Sequence, residues 1–134
     1  MGTRSETSIM NEEGFEICRI YRQMDGYPSG HGVELAKLCN VMIINGIGMD
    51  QRAGQFANGA GCLAAQVVAG LKDGIGSIYL VPPVGPYNEW IDYRYVVKTK
   101  VGKKPTIECW TGNELVFKLA AGSVARWVKK DYNP

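Results

Sequence analysis

The sequence is 134 residues long, enough for one domain with a core of its own. Its 46% hydrophobic content excludes disorder as the main state. Fifteen basic residues against 13 acidic ones give a net charge of +2, too balanced for a dedicated duplex-DNA binder.

Residues 1–13, MGTRSETSIMNEE, are polar and lack the apolar run of a signal peptide. They read as a flexible arm ahead of a single α+β domain over 14–134. Residues 15–22 alternate with period two and predict the first strand. Asp25-Gly26-Tyr27-Pro28-Ser29-Gly30 then breaks the chain with turn chemistry. Leu35, Leu38, Cys39 and Met42 share one face of a helix predicted over 33–45, stopped by Asn45-Gly46.

Residues 46–61 are glycine-rich, with Asp50, Gln51 and Arg52 as their polar content. A second helix is predicted over 55–72. Gly61, Ala65 and Ala69 line one stripe of it, and Leu63, Val67 and Leu71 a bulkier one. A helix so apolar belongs against the sheet or in a subunit interface. A short strand over 77–81 ends at Pro82-Pro83, and a Pro/Gly loop leads to Tyr87-Asn88-Glu89-Trp90. Strands over 91–100, 106–110 and 114–119, joined by short turns, read as an antiparallel meander. In the strand over 91–100, Tyr93, Tyr95, Val97 and Thr99 share a face. The tail over 123–132 is left open between pairing and a loose end. The fold class is α+β, an antiparallel sheet with two helices inserted after the first strand and packed on one face.

Cys18, Cys39, Cys62 and Cys109 are too widely spaced for a zinc ribbon, and His31 is the sole histidine. The cysteines read as reduced thiols, and no metal or cofactor is implied. No run approaches the length of a membrane span, so a cytoplasmic setting and no membrane partner are expected.

Two groups of residues carry candidate chemistry. Arg22, Asp25, Tyr27 and His31 flank a glycine-rich turn at a predicted helix start, where backbone N–H groups favour an anion. His31 there also reads as a general base. Tyr87, Asn88 and Trp90 sit in the proline-bounded loop, and Arg94 follows on a strand. Arginines hold phosphates and aromatic rings stack bases, so these eight residues form the expected ligand site. Lys98, Lys100, Lys103 and Lys104 read as a solvated hairpin tip that discourages edge pairing.

The stretch from Ile20 to Gly32, with its Tyr-x-x-x-Asp-Gly-Tyr-Pro turn, resembles a family of small phage and prophage proteins. Ile78-Tyr79-Leu80-Val81-Pro82-Pro83 and Tyr93-Arg94-Tyr95 resemble the second half of the same family. The layout is also similar to phage Thoeris anti-defence proteins. That resemblance implies an oligomer that binds cyclised ADP-ribose signals without cleaving them, and it carries over no binding residue by position.

The leading expectation is a non-enzymatic anti-defence protein that sequesters a small nucleotide signal. It would be a homo-oligomer assembled through the second helix, with no duplex nucleic acid as partner. The rivals are an inhibitor docking onto a host restriction or CRISPR component, and a small hydrolase using His31.

Overall fold

A computed structural model describes residues 2–46 and 55–132. The fold is mixed α+β. Among the described residues the strands are β1 (Ser5–Met10), β2 (Glu16–Arg22), β3 (Met42–Ile44), β4 (Phe56–Asn58), β5 (Ile78–Val81), β6 (Tyr93–Lys98), β7 (Thr106–Thr111) and β8 (Glu114–Ala120). The helices there are α1 (Val33–Cys39), α2 (Gly59–Leu71) and α3 (Ala121–Asp131). A single π-type turn, Pro28–Gly32, runs directly into α1.

Six strands form one sheet in the order β5-β2-β1-β6-β7-β8, and β3 pairs with β4 apart from it. All pairings in the large sheet are antiparallel except β1 with β6. The 1–13 arm is therefore corrected: Ser5–Met10 lies in the middle of the sheet, between β2 and β6. SETSIM has no apolar alternation because both of its faces meet polar partners, as shown below. α1 and α2 accordingly follow the second strand, not the first.

Register puts Thr7, Ile20, Tyr95, Cys109 and Phe117 side by side on one sheet face. Ile20, Tyr95, Cys109 and Phe117 pack with Leu35 and Cys39 of α1, Leu63, Val67 and Leu71 of α2, and Val124 of α3 in one core. The bulky stripe of α2 is thus buried, while Gly61, Ala65 and Ala69 are exposed.

Boundaries differ from the sequence reading where short apolar segments pair as strands. Ile43 and Ile44, expected inside a helix, belong to β3, and Phe56 starts β4. The open tail is helix α3. Gly48, Asp50, Gln51, Arg52 and Gly54 lie outside the described residues.

Two tethers hold the β1–β2 hairpin. Asn11 Oδ1 accepts from Glu13 N at 3.1 Å and Phe15 N at 2.8 Å, which fixes the tip. The Glu12 carboxylate accepts from Ala60 N at 3.0 Å, supplying α2 with the N-terminal acceptor that Asn58 does not provide.

Removal of residues 1–10 would cut the sheet in two. Such a truncated chain should lose cooperative thermal unfolding by circular dichroism and become sensitive to chymotrypsin. A truncated chain melting with the parent's transition would refute the central placement of β1.

Candidate functional site

The centre of the sheet is polar. Ser5, Glu6, Thr7 and Ser8 are all fully buried. Side chains alternate along a strand, so Thr7 faces the helices while Glu6 and Ser8 face the opposite side. Buried polar groups need partners. The partners of these residues organise both candidate groups.

On the helix side, Thr7 Oγ1 lies 2.7 Å from His31 Nε2. Arg22 Nη1 lies 3.3 Å from His31 Nδ1. A guanidinium only donates, so Nδ1 is the acceptor and Nε2–H donates to Thr7. Burial, helped by the Arg22 charge, depresses the imidazole pKa from 6.5 to about 3. The ring is fully buried and packs edge-on against Tyr95 at 4.9 Å. His31 is therefore a neutral core residue with both nitrogens engaged, which corrects its reading as a ligand or a general base.

The turn around it is closed in the same way. Asp25 adopts φ +62, and its carbonyl accepts His31 N at 2.9 Å. The Tyr27 carbonyl accepts from Gly30 N and Gly32 N at 3.0 and 3.4 Å. The N–H groups expected to cradle an anion are already donated. Gly30 is required by contact, since a Cβ there would lie 2.7 Å from the Asp25 carbonyl oxygen. Arg22 forms a salt bridge with Glu34 at 2.8 Å and donates to Met24 O at 2.8 Å. Tyr27 O–H donates to Asp25 Oδ1 at 3.3 Å. Arg22, Asp25, Tyr27 and His31 thus form a structural corner.

Among the described residues no helix covers the other face. The loop of residues 82–92 folds onto it and is held at three points. Asn88 donates to the buried Glu6 carboxylate, Nδ2 at 2.7 Å and N at 3.4 Å. The Tyr87 hydroxyl and Ser8 Oγ are 2.5 Å apart, and Ser8 donates to Glu16. Arg19 donates to the carbonyls of Gly85 and Pro86 at 3.0 and 3.2 Å. Arg19 also grips Glu16 in a bidentate pair, both bonds 2.7 Å. Burial raises the Glu16 pKa, but hydrogen bonds from Arg19 and Ser8 and the Arg19 charge outweigh it and hold the carboxyl below its ordinary value.

Two guanidiniums lie over the Tyr87 ring, with Arg19 Cζ 4.5 Å and Arg94 Cζ 4.9 Å from its centroid. Arg94 also lies 5.0 Å from the Trp110 ring across β6–β7. Among the described residues Arg94 has no ion pair and no hydrogen bond. It opens into a recess of about 380 Å³ with Tyr87, Asn88, Glu89, Asp92 and Asn113.

The eight expected residues therefore divide between the two sheet faces, and Arg22 and Arg94 do not converge on one pocket within a copy. Tyr87, Asn88 and Arg94 do come together. Trp90 is half-exposed beside them, edge-on to Tyr21 at 5.2 Å and under Arg4, but it does not line the recess. Sequence reasoning missed Glu6, Ser8, Glu16, Arg19 and Trp110. The available signal was charge inside strands: Glu16 and Arg19 occupy a segment otherwise suited to burial.

All four cysteines are free thiols, and burial raises Cys39 and Cys109 to about 12. Among the described residues, no three of His, Cys, Asp and Glu cluster as a metal site would require, and no helix is long and apolar enough to cross a membrane. No family model, no curated protein and no solved structure matches the chain.

Since His31 is unique, its ring proton is an isolated NMR probe. It should show no titration between pH 5 and 8. The folded pKa is depressed, so the neutral ring's contribution to stability is present above the unfolded value of 6.5 and is lost as pH falls towards 3. Between pH 6.5 and 5 the unfolding free energy should drop by about 1.5 kcal/mol from this group. A ring titrating near 6.5 in the folded protein would refute its burial as a neutral acceptor.

Proposed function

We propose that the protein is a non-enzymatic binder of a small nucleotide signal, such as a cyclised ADP-ribose, that removes the signal from circulation as a phage-type anti-defence protein. One observation carries the reading. Arg94 is held on a strand between two aromatic rings, opens into a recess, and has no carboxylate partner among the described residues. A guanidinium so placed presents fixed donors to a phosphate. Asn88 and Asn113 add polar groups around it beside the carboxylates of Glu89 and Asp92, and the half-exposed Trp90 lies on the same loop outside the recess. The Tyr87 ring already has two cations over it and serves to position Arg94 more than to stack a base.

The docking inhibitor is the second reading, and the hydrolase has no support left in the geometry of His31. The exposed Gly61, Ala65 and Ala69 stripe on α2 is the surface we assign to self-association. Ala65→Glu should lower the sedimenting mass at tens of micromolar, on the order of assay concentrations. A wild-type chain that sediments as a monomer would remove the oligomer.

Calorimetric titration with a panel of cyclic and linear nucleotides tests the binding site. Arg94→Ala should weaken capture by about 2–5 kcal/mol, roughly 30- to several-thousand-fold. The ligand-free variant loses only two partly exposed cation–π contacts, each worth about 0.5–1 kcal/mol, so its Tm should fall by only a few degrees. No heat from any member with the wild type would discard sequestration and put the docking inhibitor first.

A further inference from the structure

The helix-free face ends, away from Arg94, in a cavity of about 650 Å³. Lys98, Lys100, Lys103, Lys104 and Lys118 line it, with Glu12 the one carboxylate among the described lining residues. That carboxylate is already engaged by Ala60 N. Of the five lysines only Lys98 has an ion pair among the described residues, 2.7 Å from Glu108. Edge protection does not account for them. The turn that carries Lys100, Lys103 and Lys104 joins β6 to β7, two interior strands, whereas the sheet edges are β5 and β8. Nor is the turn a free tip. Gly102 N donates to Ile43 O at 2.8 Å, Ile43 N to Lys103 O at 3.1 Å, and Thr99 Oγ1 to Met10 O at 2.9 Å. The backbone that carries Lys100, Lys103 and Lys104 is thus pinned to β3 and β1, which fixes where these three cations leave the chain around the cavity.

We propose that this cavity is a binding site for a compact oligophosphate anion, recognised through its phosphates alone. Ammonium groups are point charges on flexible stems, suited to a chain of phosphates more than to one planar carboxylate. The volume falls in the range of small-ligand sites. No aromatic side chain lines it, so a nucleobase has nothing to stack on. Inorganic tripolyphosphate and the phosphate tail of a nucleotide are the two sources of this chemistry. The site shares no residue with the Arg94 recess.

The test is calorimetric titration of the full chain with sodium tripolyphosphate, ATP and monophosphate at low salt. Tripolyphosphate with the wild type, and ATP with Arg94→Ala, should bind 1:1 with affinities within about threefold of each other, monophosphate at least about tenfold more weakly, and all should weaken steeply as salt rises. Lys100→Gln with Lys104→Gln should weaken tripolyphosphate at least about tenfold with an unchanged circular dichroism spectrum, whereas Arg94→Ala should leave it unchanged. Three results would each overturn the proposal: no heat from tripolyphosphate at millimolar concentration, equal binding by the lysine double variant, or ATP binding to Arg94→Ala tenfold tighter than tripolyphosphate. Loss of nucleotide capture in Arg94→Ala with tripolyphosphate binding intact would separate this site from the other.

Discussion

A polar strand buried in the middle of a sheet is the constraint on which the other features depend. Glu6, Thr7 and Ser8 carry hydrogen-bonding groups into a region without water, where each unpartnered group costs roughly 1–3 kcal/mol. The chain answers on both faces. His31 comes to Thr7 from the helix side, which requires the π-type turn after Tyr27 and the left-handed Asp25 before it. Asn88 and Tyr87 come to Glu6 and Ser8 from the other side, which draws a proline-bounded loop flat against the sheet. Two loops distant in sequence are thus positioned by consecutive residues of one strand. Ser5 is the exception, its buried Oγ lacking a partner.

That arrangement explains which parts of the structure were legible in the sequence. β2 and the β6–β8 meander alternate between a core face and a more polar one, and period two reveals them. Tyr95, Val97 and Thr99 are buried on the face expected of them. β1 obeys a different rule: its polar side chains are buried because partners reach them, and those partners lie 8 to 82 residues away. No local pattern encodes that. Ile43 and Ile44 failed for the opposite reason. A short apolar run fits a buried helix or a buried strand equally well, and the pairing of β3 with β4 decides between them.

The candidate site divides along the same line. Arg22, Asp25, Tyr27 and His31 stand out in the sequence as a dense set of polar groups at a turn, but the partners of those groups are one another, Glu34, Thr7 and the Met24 carbonyl. Density alone does not separate a satisfied corner from an open one. Arg94 looked no different in sequence. What distinguishes it is that its guanidinium lies between the Tyr87 and Trp110 rings, while its register neighbour Glu6 is held by Asn88 and Glu16 by Arg19. Lys118 likewise joins the turn lysines only because β8 returns beside β7 and sets Lys118 opposite Glu108.

Net charge conceals this segregation. A value of +2 suggests a neutral surface, yet several of the carboxylates are tied to particular partners. Glu16 goes to Arg19, Glu34 to Arg22, Glu12 to the start of α2, and Glu6 to Asn88. Glu108 shows the local balance: burial raises its pKa, but hydrogen bonds from Lys98 and Trp110 and the charges of Lys98 and Lys118 hold the carboxyl below its ordinary value. The helix-free face has Arg94 near one end and, at the other, five lysines that outnumber the carboxylates of Glu12 and Glu108 beside them. A small net excess of positive charge becomes a patterned one because the basic side chains gather there.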